Sequence, residues 1–329
     1  MHARSLLLSL GCILTASVSV VSAQALIIDH TCCDLGQVPD NWVEAAKSQF
    51  RLSYGHTSHG SQLVTGMNLL KEPAGSLYWW DHDGTQGGLS LWDYTPAGDL
   101  GNPDRYTWAT RTRTMLDDPD RDRNVVMWSW CGQADTTQAN MQIYLDLMDG
   151  LIEDYPDVTF IYMTGHLNGT GEDGNLHQRN NQIRAHVIAT GGVLFDFADI
   201  ESYNPDGEYF LDRGADDGCN YDGGNWADEW CAAHPGSDLC ASCSCAHAHP
   251  LNCNLKGRAV WWMLARLAGW EGGASDCLGD LDADGDTDQA DLGLLLAAYL
   301  VTDAGDLDGD GDTDQADLGI LLGDYGCGG

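Results

Sequence analysis

Residues 55–62 read GHTSHGSQ and gather His56, Ser58, His59 and Ser61 just after an apolar stretch. A serine on a tight turn between strand and helix presents its hydroxyl beside backbone N–H groups, the arrangement of a nucleophile next to oxyanion donors. Ser58 is the nucleophile in this reading, and it needs a base. His247 and His249, in CAHAHPLNCNLKGRA, are the candidates, with Asp199 or Glu201 to orient the base and Asp199 the choice. The Ser58 amide, Gly132 and Asn168 are candidate oxyanion donors, and Gln133 and His166 can serve as well. The same side chains have a second reading. His56, His59, His166 and His247 or His249, with Asp199 or Glu201, are imidazole and carboxylate ligands suited to a catalytic divalent metal, although no HExxH-like pattern supports it. A third pairs Asp199 and Glu201 with Asp81 as glycosidase carboxylates. The structural alternative makes Ser58 or Ser61 a helix cap and leaves His247 and His249 on a disulfide knot.

A second chemistry closes the chain. Asp280 to Leu300 and Asp306 to Tyr325 are near-identical repeats rich in evenly spaced aspartates. In a twelve-residue EF-hand loop the side-chain oxygens come from positions 1, 3, 5, 9 and 12, with glycine at 6. The first repeat offers Asp280, Asp282, Asp284, Asp288 and Asp291 around Gly285; the second offers Asp306, Asp308, Asp310, Asp314 and Asp317 around Gly311. Asp286 and Asp312 occupy position 7, where the backbone carbonyl is the usual ligand. Two calcium ions are the expected cofactors, and no organic cofactor is called for. Each loop runs into an apolar face at helical spacing: Leu292, Leu295, Leu296, Tyr299, and Leu318, Leu321, Leu322, Tyr325.

The elements that must position the first group follow from periodicity. Apolar runs at 25–28, 51–54, 125–130, 158–163 and 193–197 read as buried strands, separated by helical patterns at 41–49, 62–70, 140–155, 177–190 and 256–267. Alternation of this kind predicts an α/β fold, a three-layer α/β/α parallel sheet with function at the carboxyl ends of the strands. The stretches Tyr78 to Trp108 and Cys219 to Cys253 read as irregular insertions, the second disulfide-rich. Trp79, Trp80, Trp92 and Trp108 are placed to stack on sugar faces, while Trp261, Trp262 and Trp270 are read as core.

Composition narrows the function classes. The formal charge is -35, and a phosphate-backbone binder needs clustered Lys and Arg, so nucleic acid is not expected as a partner. Residues 1–23 carry one Arg, an apolar run and Val21-Ser22-Ala23 before Gln24, the pattern of a secretory signal peptide. No other stretch is long and apolar enough to span a bilayer, so the expected location is secreted or cell-surface associated. Of 12 cysteines, 11 follow that leader and are first read as disulfides. Cys277 and Cys327 bracket the repeats and can clasp them. Cys240, Cys243, Cys245 and Cys253 mimic zinc spacing, but export favours disulfides. Cys131 is the candidate for an unpaired thiol; as a nucleophile it ranks last, a small buried cysteine being the usual case.

The paired loops, each followed by one helix, resemble a type I dockerin, the calcium module that attaches polysaccharide-degrading enzymes to cohesin-bearing scaffolds. The resemblance implies a small α-helical module over 273–329, a cohesin-like partner read by Gln289-Ala290 and Gln315-Ala316, and a polysaccharide substrate. It departs at Thr287 and Thr313, where dockerins carry Ile or Val, and in the absence of Lys or Arg after the loops. Residues 24–272 resemble a family of exported proteins sharing GHTSHGSQ, WSWCGQ, MTGH, DFADIESY and LNCNLKGRA, a resemblance that names no activity. They also share features with SGNH (GDSL-like) hydrolases: the Ser58-His59-Gly60 step, and a histidine before the last helix. That likeness implies a serine carbohydrate esterase; GDS and the DxxH aspartate are missing. The opposing class is a non-catalytic carbohydrate-binding protein.

Overall fold

The computed structural model describes residues 25–272, 277–281, 287, 289–302, 304–308 and 311–327. The expected leader, the 273 boundary, and Asp282, Asp284, Asp286, Asp288 and Asp310 lie outside the described residues.

Seven parallel strands form one sheet: β1 (Leu26–Ile28), β2 (Arg51–Gly55), β3 (Trp80–Asp81), β4 (Leu89–Asp93), β5 (Val125–Trp128), β6 (Thr159–Met163) and β7 (Val193–Phe195). Their order across the sheet is β1-β7-β6-β5-β2-β4-β3. The two-residue period of a strand sends alternate side chains to opposite faces. Leu52, Val125, Met127, Ile161 and Phe195 enter one core beneath α1 (Asp40–Gln49), α2 (Ser61–Leu70) and α8 (Pro250–Leu267). Val126, Trp128, Phe160, Tyr162 and Leu194 enter the other, beneath α3 (Thr107–Leu116), α4 (Gln138–Asp154) and α5 (Asn175–Thr190). Helices cover both faces of the sheet, as alternation predicted. Two further helices, α6 (Phe197–Ile200) and α7 (Trp226–Ala233), belong to the segments after β7.

One expectation is corrected. The Trp- and Gly-rich stretch Tyr78 to Trp108 is no irregular wall, since it supplies β3, β4 and the start of α3. Trp80 and Trp108 are buried, and Trp92 lies beneath the Arg123 guanidinium at 4.2 Å, so none of these three has a free face for a sugar. β3 is too short at two residues to stand out, and β4 lies in a Trp- and Gly-rich stretch that masks its apolar run.

The order β4-β2-β5-β6-β7 is the flavodoxin-like order of doubly wound sheets, and the chain reverses direction across the sheet between β2 and β5. A crevice opens at the carboxyl ends of the strands at such a switch point. GHTSHG leaves β2 there, and Ser129 to Cys131 leaves β5.

Two glycine contacts fix how α2 and α8 enclose that crevice. A Cβ on Gly66 would lie 1.8 Å from the Cys253 carbonyl oxygen, and one on Gly257 would lie 2.3 Å from the Gly66 carbonyl carbon. The helices therefore meet backbone to backbone, which brings the residues before α2 and the residues before α8 side by side. Gly60 makes the other contact: a Cβ there would meet Ser129 Oγ at 2.0 Å, so the β2–α2 turn folds tightly over β5.

Disulfides join Cys231 to Cys240, Cys245 to Cys253 and Cys277 to Cys327. Three of the four cysteines with zinc-like spacing are thus used in disulfides. Cys32, Cys33, Cys131, Cys219 and Cys243 are unpaired.

In the tail, α9 (Gln289–Ala298) and α10 (Gln315–Asp324) pack together. Leu295 and Leu321 are buried, whereas Leu296 and Leu322, at equivalent places in the two repeats, are each 55% exposed. Thr287 and Thr313 are buried and explain themselves as hydrogen-bonding residues. Thr287 Oγ1 donates to Asp324 at 2.9 Å, and the Gly305 amide donates to Thr313 Oγ1 at 3.1 Å. The Cys277–Cys327 bridge closes a separation of 50 residues, worth about 4 kcal/mol in the chain-entropy account.

Candidate functional site

Three strand ends converge at the switch point. After β2 comes His59, after β5 Cys131, and after β6 His166; Asp217 arrives from the irregular segment before α7. The Asp217 carboxylate faces His59 Nε2 at 2.9 Å, and His59 Nδ1 faces Cys131 Sγ at 3.2 Å. Burial works against ionising Asp217, but the His59 hydrogen bond, helped by the nearby Lys256 ammonium, holds its carboxyl below the usual carboxylate range. An ionised carboxylate can only accept, so His59 Nε2 carries the proton and Nδ1 presents a lone pair to the thiol. Cys131, His59 and Asp217 form a nucleophile, a base and the group that orients the base.

Stacking holds the base in place. The His59 ring lies 3.7 Å from His166 at an interplanar angle of 4°, and 4.3 Å from His247 at 13°. His247 reaches this position with a φ of 63°, a left-handed conformation that costs a non-glycine residue on the order of 1 kcal/mol or more. His166 donates Nδ1–H to the Leu167 carbonyl at 2.7 Å.

Beneath the stack lies a buried network. Glu201 and Lys256 are fully buried and paired at 2.5 Å. The other Glu201 oxygen accepts the Leu167 amide at 2.6 Å, and Lys256 also donates to Gln62. One ion pair thus ties α8 to α2 and to the backbone beside His166. Burial pulls the Lys256 ammonium below its ordinary range, and Glu201 offsets part of this.

The other expected residues fall elsewhere. Ser58 Oγ lies 3.9 Å from Cys131 Sγ, and among the described residues no hydrogen bond joins it to a histidine. His56 is buried with both nitrogens engaged, Nδ1 on the Thr57 carbonyl at 2.8 Å and Nε2 on Asp93 at 2.6 Å. His249 caps α8 by accepting the Leu251 amide and faces Asp228 at 3.3 Å. Asp199 pairs at 2.5 Å with His30, which lines a separate cavity. Glu201 is structural, which with the remote Asp199 leaves the two-carboxylate arrangement without its members. Asn168 donates to Asp135 and Gln133 to Asp99. Gly132 opens the turn Gly132–Ala134 directly after Cys131, and its added Cβ would meet nothing within 4 Å.

Sequence reasoning passed over Asp217 and ranked Cys131 last. Cys131 is half-buried, not sealed in the core, and the step from strand to glycine in WCGQ was the available signal. Nothing local marks Asp217, which sits in an excursion that only the fold returns to β2.

A metal is the other chemistry to weigh. One ligand atom from each of His59, His166 and Asp217 lies within 4.8 Å of the others. An imidazole binds a metal in its ring plane, and rings stacked at 4° have planes that do not meet near the site. The stack fits proton transfer through His59 better than shared ligation.

The second aspartate-rich loop brings hard ligands together. Carboxylate oxygens of Asp306, Asp308 and Asp317 lie within 4.8 Å of one another, as do those of Asp312, Asp314 and Asp317. Oxygen-only donors at EF-hand spacing suit calcium, and Asp312 joins its neighbours although position 7 is usually a backbone ligand. Asp280 and Asp291 are the described acids of the first loop. Calcium added to the chelator-treated chain is expected to stabilise the tail by about 3 kcal/mol at one hundred times its dissociation constant. Thermal melts followed by circular dichroism measure this, and Asp317→Asn should abolish the gain.

Comparison with known proteins gives no match to a family model, to a curated protein or to a solved structure. Among the described residues no helix is long and apolar enough to cross a membrane.

The site predicts its own pH profile. Burial is the largest influence on His59, and with the neighbouring imidazoles of His166 and His247 it outweighs the Asp217 hydrogen bond, holding the imidazole below its ordinary value near 6.5. A base must be neutral, so the acid limb of kcat/KM is expected below about pH 6.5. Folded-state stability should fall as pH drops from 6.5 through the lowered value, because the unfolded chain takes up that proton first. An acid limb above pH 7 would contradict the assignment.

Proposed function

We propose that the chain is an exported thiol hydrolase that removes acyl groups from a polysaccharide, with Cys131 as nucleophile, His59 as base and Asp217 orienting that base. The observation that carries this reading is the continuous hydrogen-bonded line from Cys131 Sγ through His59 to Asp217 at the switch point of the sheet. His59 takes the Cys131 proton as sulfur adds to the ester carbonyl. The amides of Gly132 and Gln133, which begin the turn after Cys131, would donate to the developing oxyanion. As the carbon–oxygen bond breaks, His59 returns the proton to the leaving alkoxide. Water then attacks the thioester with His59 again as base, releasing the acid and the thiol.

This keeps the ester class and replaces Ser58 as the attacking atom. The polysaccharide substrate and the exported location rest on the dockerin resemblance of the tail and on the leader-like residues 1–23. The tail is read as a calcium-dependent docking module. Support comes from Leu296 and Leu322, which project equally from the two repeats and would give a cohesin-like partner two related apolar contacts. Acetate release from acetylated glycans, compared between wild type and Cys131→Ala, tests the catalytic assignment.

A further inference from the structure

A second crevice opens at the far edge of the sheet. It encloses about 640 Å³ between the residues following β1 (His30, Thr31, Cys33, Asp34), the loop Tyr203 to Gly207, and Trp230 and Arg258. That volume is ordinary for a small-ligand site. At its edge His30 is fixed twice by Asp199, through its amide at 3.0 Å and its ring at 2.5 Å, and its ring stacks on Tyr203 at 3.5 Å.

Arg258 is the informative residue. The chain has 15 Lys and Arg against 50 Asp and Glu, and several guanidiniums hold a carboxylate. Arg123, Arg184 and Arg213 each hold one. Among the described residues the side chains of Arg179, Arg258 and Arg266 have no ion pair or hydrogen bond and a buried Nε without a partner, and of the three only Arg258 lines this crevice. Two acids line the same crevice, yet Asp34 accepts the Gly36 amide and Asp206 lies 3.8 Å from His234. The Trp230 indole N–H is likewise buried without a partner. Unmet buried donors beside an aromatic wall favour a ligand that carries an anion and a polar ring.

We propose that this crevice binds an acidic sugar, a uronate unit, with its carboxylate on Arg258 and the rest of the ring between Trp230 and the His30–Tyr203 stack. The choice of a sugar rests on the polysaccharide reading above; the anion rests on Arg258 alone. The cavity is separate from Cys131, so the unit bound here is a recognition element of the polymer and not the ester being cleaved.

Isothermal titration of the full-length Cys131→Ala protein with glucuronate- and galacturonate-containing oligomers, neutral oligomers of equal length and a sulfated oligomer tests this without requiring hydrolysis. A uronate oligomer is expected to bind at least tenfold more tightly than the neutral one. Arg258→Gln should remove that preference and Arg258→Lys should retain part of it, with thermal melts of both variants establishing that they are folded. Equal binding of neutral and acidic oligomers, undiminished uronate binding in Arg258→Gln, or preference for the sulfated oligomer would each overturn the proposal. If wild type binds uronates but releases no acetate, the catalytic reading fails while this one stands.

Discussion

Cys131→Ala is expected to lower acetate release by four to six orders of magnitude, roughly the loss seen when a nucleophile is removed from a working triad. Ala leaves no atom able to form the acyl intermediate, and neighbouring Ser58 cannot substitute. Its Oγ is 3.9 Å from the sulfur, while the base is directed at Cys131. Ser58→Ala should therefore cost only a few-fold. The contrast between the two variants is the decisive reading, because a serine hydrolase would give the reverse. Iodoacetamide should inactivate wild type in parallel with labelling at Cys131, located by peptide mass spectrometry. Full activity after complete labelling there would exclude the thiol mechanism. Cys131→Ser tests the same point more gently: a hydroxyl is far less acidic than a thiol, and His59, held in its neutral form, would have to take a harder proton.

The largest effect on stability is expected from Lys256→Met. It leaves the Glu201 carboxylate fully buried, still holding the Leu167 amide but facing no positive charge. Breaking such a pair from one side costs about 3–5 kcal/mol. For a domain of this size that is a fall in melting temperature of roughly 10 °C. The double variant Lys256→Met with Glu201→Gln should recover part of the loss, since the uncompensated charge is gone while the Leu167 amide keeps an acceptor. Non-additivity measured by denaturant titration isolates the coupling. A loss below about 1 kcal/mol in the single variant would mean that the pair is not closed as described.

Most of the scaffold was legible in the residues because five strands stand out as apolar runs and five helices carry a period of about four. The candidate site was legible only in part. His59 and His166 were named from the ends of β2 and β6, and the reasoning that function gathers at strand ends led to both. It failed at Cys131 because a cysteine in an apolar stretch is commonly core, and half-burial is a property of packing. It failed at Asp217 because nothing in GADDG distinguishes an aspartate that turns inward from one that faces water. Asp199 illustrates the opposite error: sequence proximity to Glu201 suggested one site, yet the short helix α6 turns the two carboxylates to different places, Asp199 to His30 and Glu201 to Lys256. Thr287 and Thr313 could not be placed from sequence, and their burial with hydrogen-bonded hydroxyls accounts for a polar residue at each position.

The bridge between Cys277 and Cys327 has a topological consequence. It makes the tail a covalent ring entered and left at nearly one point, the two Cα atoms being 5.5 Å apart. A protease that nicks any peptide bond within the ring opens it without shedding a fragment, so one cut leaves both repeats tethered to the sheet domain. Release then requires either a second cleavage or a reductant.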